Sequence, residues 1–193
     1  MPAGTLPVAR THAGGKYIDF SKFEVIDQPL WDSLDLTGTT SFNTSTLFQT
    51  PQGQGTKTIV DTNMESAGTL SAPKNQLVTG VSIVSNADLN IGDLKTFTNE
   101  VVFTFTIADK QIFRLPCHML GKAMLSGFAG SALFDYAAIG APGVRQGYKL
   151  RYPFVIPTQQ SFQVTLAAGT ALGTISNLKL WVYLHGIQTR AIK

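Results

Sequence analysis

The sequence predicts an all-β protein, an antiparallel sandwich or barrel, on three observations. Apolar residues recur with period two in several segments. Almost no stretch shows the 3.6-residue period of an amphipathic helix, and Gly, Pro and Asn turn signals separate the alternating runs. Together these give seven or eight short strands, enough for two packed sheets. The chain has 193 residues, 44% of them apolar, including twelve Phe. A domain of that size builds a core without metal or disulfide, and Cys117, the only cysteine, has no internal partner to pair with.

Residues 1–16 are rich in Gly, Pro, Thr and Ala, with Arg10 and Lys16 as their only charges. They read as a flexible N-terminal arm ahead of one domain spanning 17–193. "KYIDFSKFEVI" (Lys16 to Ile26) holds the first strand. In "PLWDSLDL" the spacing of Asp32 and Asp35 suits either helix neighbours or a capped turn, with both acids solvated. "TSTLFQTPQGQGTKTIVDTN" gives a short strand and then a Pro/Gly turn region. "NQLVTGVSIVSN" (Asn75 to Asn86) is a strand bounded by turn-forming Asn.

A hairpin follows in "NEVVFTFTIADKQIFRLP", with Val101, Phe103, Phe105 and Ile107 on one face, a turn at Ala108 to Lys110, and Gln111 to Leu115 returning. A second hairpin is expected in "YKLRYPFVIPTQQSFQVTLAA". There Leu150, Tyr152, Phe154 and Ile156 share a face, and Phe162, Val164 and Leu166 lie on the return. Pro153 removes one ladder donor, which puts the outgoing strand at a sheet edge or a bulge. Between the hairpins, Gly121 to Gly143 is a Gly/Ala-rich run whose uncharged core, Ala123 to Phe134, is twelve residues long. That is too short for a membrane span, which needs about 20. It reads as a long inter-strand excursion with one short helix lying against the body; contact with a membrane or a partner is the rival reading. The last strand, in "LKLWVYLHGIQTRAIK", buries Leu178, Leu180, Val182 and Leu184 and turns Trp181, Tyr183 and His185 outward.

Searching for chemistry excludes more than it finds. The three histidines, His12, His118 and His185, are far apart, and Cys117–His118 are strand neighbours that point to opposite faces. A buried thiol beside an imidazole is the expected reading of that pair. Only three Glu are present, Glu24, Glu65 and Glu100, and an enzyme would need at least two of Asp32, Asp35, Glu65, His118 and Cys117 to converge. "GQG" at Gly53 to Gly55 lacks the phosphate-loop pattern, and no G-x-S-x-G occurs. No enzyme, no catalytic residue, no cofactor and no metal are expected. The net charge of +3 comes from scattered Lys and Arg, so no specific nucleic-acid partner is expected. No signal peptide or transmembrane segment is read, which places synthesis and assembly in a cytoplasm.

What remains is surface. Charged residues make up 14% of the chain, well below the usual ~25%, which favours a subunit covered by neighbours. Trp181, Tyr183, His185 and Arg190 are the candidate subunit-interface residues, the aromatic ones being types enriched at hot spots. The rival cover is intramolecular, from the Gly121 to Gly143 excursion or the arm. A carbohydrate-binding sandwich is the alternative function, with Trp181 or Trp31 exposed beside Asn, Asp or Gln in a groove.

Three phrases, "DTNMESAGTLSAPKNQLVTGVSIV", "YPFVIPTQQSFQVTL" and "LWVYLHGIQTRAI", resemble segments of small bacteriophage structural proteins. The matching positions are Thr62-Asn63-Met64, Gly68-Thr69-Leu70, Gln160 to Val164 and Leu184 to Arg190. The resemblance covers about the C-terminal two-thirds of the chain. It implies a single jelly-roll virion protein that forms the capsid or cements it as a decoration protein. The implied partners are itself, as a trimer or higher symmetric homo-oligomer, and other capsid proteins. Genome-packaging jelly rolls often carry a densely basic arm, and residues 1–16 do not, so a place in or on the shell is expected.

Overall fold

A computed structural model describes residues 23–86, 90–120, 123–127, 135–139 and 148–191. The expected arm at 1–16 lies outside them. The strands are β1 (Phe23–Ile26), β2 (Leu30–Asp35), β3 (Phe42–Leu47), β4 (Lys74–Ser85), β5 (Val101–Ile107), β6 (Lys110–Pro116), β7 (Ala123–Gly127), β8 (Asp135–Ile139), β9 (Tyr148–Ile156), β10 (Phe162–Leu172) and β11 (Lys179–Ala191). One helix, α1 (Ile91–Glu100), runs directly into β5. In the first sheet β11 lies between β4 and an edge shared by β1 and β2, and β9 forms the other edge. The second sheet has the order β3-β10-β5-β6, and among the described residues β7 pairs only with β8. All these pairs are antiparallel.

The two sheets pack face to face because their alternating apolar faces have no other way to leave water. From the first sheet, Val81, Ile83, Leu180, Val182 and Leu184 are at most 1% exposed; from the second, Phe103, Phe105, Val164 and Leu166 are completely buried. Phe105 meets Phe154 across the sandwich at 4.8 Å between ring centres. The β5–β6 hairpin forms as expected, with Val101, Phe103, Phe105 and Ile107 all inward.

The structure corrects five expectations. First, β9 and β10 do not pair with each other: β9 joins β4 in the first sheet and β10 joins β3 and β5 in the second. The Pro157 to Ser161 turn therefore carries the chain from one sheet to the other. Second, Tyr152 points to solvent and is 77% exposed, while Leu150 and Ile156 are buried. The β4–β9 register shifts between Val78–Phe154 and Gly80–Lys149, so the edge position and bulge expected from Pro153 are present and throw Tyr152 out of phase. Third, "PLWDSLDL" is neither helix nor turn but β2, and Asp32 in it is buried. Fourth, the described part of the 121–143 run is two short paired strands, β7 and β8; the rest of the run, and with it the expected short helix, lies outside the described residues. Fifth, Cys117–His118 lies on a 3-10 turn, Cys117–Met119, that buries the thiol and leaves the imidazole exposed.

Helix α1 was not anticipated. Its Asn90 cap accepts from the Gly92 and Asp93 amides, and Leu94 and Phe97 close the end of the core, with Phe97 5.8 Å from Phe42. Asp93 in the first turn accepts from the Ser176 and Asn177 amides, which ties the helix to the approach to β11.

Strand β11 changes phase at Gly186, where its register with β4 shifts. Gly186 has φ of +153° and so close an approach to β4 that an added Cβ would sit 1.8 Å from the Leu77 carbonyl oxygen. That contact is with backbone and no side chain can yield. Gly186→Ala is therefore expected to destabilise the fold by about 3 kcal/mol or more, read as a lower denaturant midpoint at unchanged slope.

Candidate interaction site

Leu178, Leu180, Val182 and Leu184 are completely buried, so period two forces Trp181, Tyr183 and His185 onto the outer face of the first sheet, where all three are half-buried. Tyr183 stands opposite Trp31 of β2, with ring centres 6.5 Å apart, and stacks on His185 at 6.1 Å and 16°. His185 Nε2 and the Ser82 hydroxyl of β4 are hydrogen-bonded at 2.7 Å. Burial pushes the His185 imidazolium below its ordinary value and the Tyr183 phenol above its own. Both side chains are thereby held neutral near pH 7.

Trp181 has a different neighbour, the segment that follows β3. Its indole Nε1 donates to the Val60 carbonyl at 3.0 Å, and the Lys179 ammonium lies 5.2 Å from its ring centre. Arg190 does not join this group. It lies five residues beyond His185, roughly 16 Å along a strand, and forms an exposed cross-strand ion pair with Glu24 of β1, which raises its pKa. The structure thus brings Trp181, Tyr183 and His185 together and leaves Arg190 apart. Neither Trp31 nor Trp181 is fully exposed.

The segment over Trp181 is fixed by charges that sequence reasoning took as solvated. Asp32 is 2% exposed. Its Oδ2 accepts from the Phe48 amide at 2.5 Å, and its Oδ1 from the Ser33 amide and the Lys57 ammonium, both at 2.9 Å. Lys57 also donates to the Ser33 carbonyl and, at 3.2 Å, to its hydroxyl. The Ser33 hydroxyl in turn contacts Asp61 at 3.2 Å, and Asp61 pairs with Lys179 at 2.6 Å. Carboxylate and ammonium alternate along a string from the sandwich edge to β11.

Asp61 also folds its own turn. It accepts from the Thr58 amide and hydroxyl, while its own amide donates to the Thr58 carbonyl. The Asp61 carboxylate on the Thr58 amide is one half of a capping box; the Thr58 hydroxyl, instead of completing it, donates to Asp61 and accepts from the Val60 amide. The turn displays Ile59 and Val60, 64% and 66% exposed, beside Trp181. The next residues clamp β2: Thr62 Oγ1 donates to the Trp31 carbonyl, Asn63 Oδ1 accepts from the Trp31 amide, and Asn63 Nδ2 donates to the Pro29 carbonyl.

Cys117 is buried in apolar surroundings that push its thiol up to about 12, so it carries no thiolate near neutrality. Among the described residues, no group of three or more His, Cys, Asp or Glu is placed to hold a metal ion, and no helix is long and apolar enough to cross a membrane.

Removing Lys57 strands a buried carboxylate. Lys57→Met is expected to cost about 3 kcal/mol, the lower end for breaking such a pair, because two backbone amides still serve Asp32; chemical denaturation measures it. The Lys179 and Thr58 bonds hold the Asp61 carboxyl below its ordinary value of 3.8. Its ionised form is thus favoured by folding, so its contribution is complete above that ordinary value and is lost as pH falls toward the lower folded value. The acid limb of the stability–pH curve should flatten in Asp61→Asn. No protein-family model and no curated protein matches the chain.

Proposed function

We propose that the chain is a non-enzymatic structural subunit of a virus particle, a single jelly roll that forms the capsid shell or cements it. The strand pairing carries this reading. β5 pairs with β6, β4 with β9, β3 with β10 and β2 with β11. These are four nested antiparallel pairs, allotted alternately to the second and the first sheet. This nesting supports reading the fold as a jelly roll, an architecture that viral capsid proteins share with lectin domains and cupins. The resemblance of the Thr62-Asn63-Met64, Gln160 to Val164 and Leu184 to Arg190 segments to phage structural proteins favours the first of those.

In this reading the stiff sandwich is a block, and the contacts sit on its surface. Ile59 and Val60 are apolar, exposed and held by a turn with several internal hydrogen bonds, so little side-chain or loop entropy remains to be lost on docking. With the half-buried Trp181 beside them they form the leading contact, and Tyr183 and His185 extend it along β11. Repeated weak contacts then act together across a symmetric assembly of this chain with itself and with other coat proteins.

Sedimentation of the purified chain, alone and with shells, tests the proposal. Oligomers or co-sedimentation are expected, and both should be lost in Ile59→Ser/Val60→Ser with the melting temperature unchanged. A stable monomer that never travels with a shell would overturn the reading.

A further inference from the structure

Between the neighbouring edges of β2 and β3 the two sheets part over a cavity of about 460 Å³, within the range of about 300–1,000 Å³ for small-molecule sites. Its charged wall is the string of Asp32, Lys57, Asp61 and Lys179. Each of these two carboxylates already faces an ammonium, so the uncompensated charge at the cavity is that of Asp35. What the cavity leaves unspent is hydrogen-bonding capacity. Ser45, Thr46, Thr50 and Thr56 line it, and none of their hydroxyls is hydrogen-bonded to a described residue. Asp35 stands exposed at the rim, with one oxygen on the Thr37 amide.

We propose that this cavity is a binding site for a neutral saccharide, one ring of which spans from Asp35 to the hydroxyls of Thr46, Thr50 and Thr56. Several groups that each donate and accept, set against an internally neutralised wall, are complemented by a ligand that carries many hydroxyls and no charge. An anion would be repelled by the Asp35 carboxylate, and a cation would find there one carboxylate that already accepts from the Thr37 amide. The site shares Asp61 and Lys179 with the surroundings of the Ile59–Val60 contact, but it does not depend on the chain building a particle.

The test is titration of the isotope-labelled full chain, followed by amide NMR, with methyl glucoside, methyl galactoside and methyl mannoside. Inorganic phosphate and calcium serve as charged controls. Saturable shifts at residues 45, 46, 50 and 56 are expected with at least one glycoside in the millimolar range. Thr50→Val and Thr46→Val, which keep shape and remove a hydroxyl, should each weaken binding about tenfold at an unchanged melting temperature. Because Lys179 both lines the cavity and lies over Trp181, Trp181 emission should change at the same concentrations. No saturable shift with any of the three glycosides would overturn the proposal. So would shifts at these residues driven by phosphate or calcium instead, or glycoside binding unaltered by both substitutions.

Discussion

The buried carboxylate of Asp32 is the interaction on which the edge of the sandwich turns. It sits on β2 in the first sheet, yet one oxygen takes the amide of Phe48, at the end of β3 in the second. Its other oxygen holds Lys57, and so the segment that crosses between Phe48 and Met64. Taking these charges out of water is costly, and an apolar replacement of both partners could be as stable. The contribution of the pair is geometric. With Lys57 anchored, Ser33 and Asp61 come within reach of each other and Asp61 reaches Lys179. The apolar turn beside Trp181 and the neutralised wall of the cavity are two outcomes of that one arrangement.

Strands β5, β10 and β11 were legible because Val101 to Ile107, Phe162 to Leu166 and Leu180 to Leu184 each bury every second residue, which writes period two into the sequence. Strand β2 was not, because Asp32 and Ser33 at its centre are both buried, and the groups that satisfy them come from residues 57 and 61. A buried polar centre looks like a turn until its partners are known. Helix α1 hid for a related reason: only Leu94 and Phe97 among its described side chains reach the core, too few to make a stripe, and its Asn90–Asp93 start was the sole local signal. The β9–β10 turn has the local sequence of a hairpin. Whether its strands pair depends on β4 and β3, which are far away in sequence. Of the candidate site, the aromatic face could be read from alternation alone. The loop that partly covers Trp181 could not, since its position follows from ion pairs between sequence-distant residues.

The outer face of the first sheet is partly self-satisfied. Trp31, Tyr183 and His185 lean on one another, His185 has Ser82, and Trp181 has Val60 and Lys179. Aromatic groups engaged in this way are already ordered, so a partner that covers them removes water without freezing new rotamers. Residues outside the aromatic face hold the sheets in place. Thr62 and Asn63 clamp β2, the Phe162 amide bonds the Gly68 carbonyl, and Gly186 shifts the register of β11.

Strand β11 lies at the middle of the first sheet, although it is the most C-terminal of the described strands. Its partners β1, β2 and β4 are all drawn from the first half of the sequence. Contacts between such remote segments form late, after the entropy of closing a large loop has been overcome. Until β11 arrives, β4 has an unfilled edge and its inward Val78, Val81 and Ile83 lack their cover, a surface that invites pairing with the wrong chain. The bulge at Gly186 then fixes the register of this late partner, since Gly186 is the residue of β11 that can lie against the Leu77 carbonyl with that backbone.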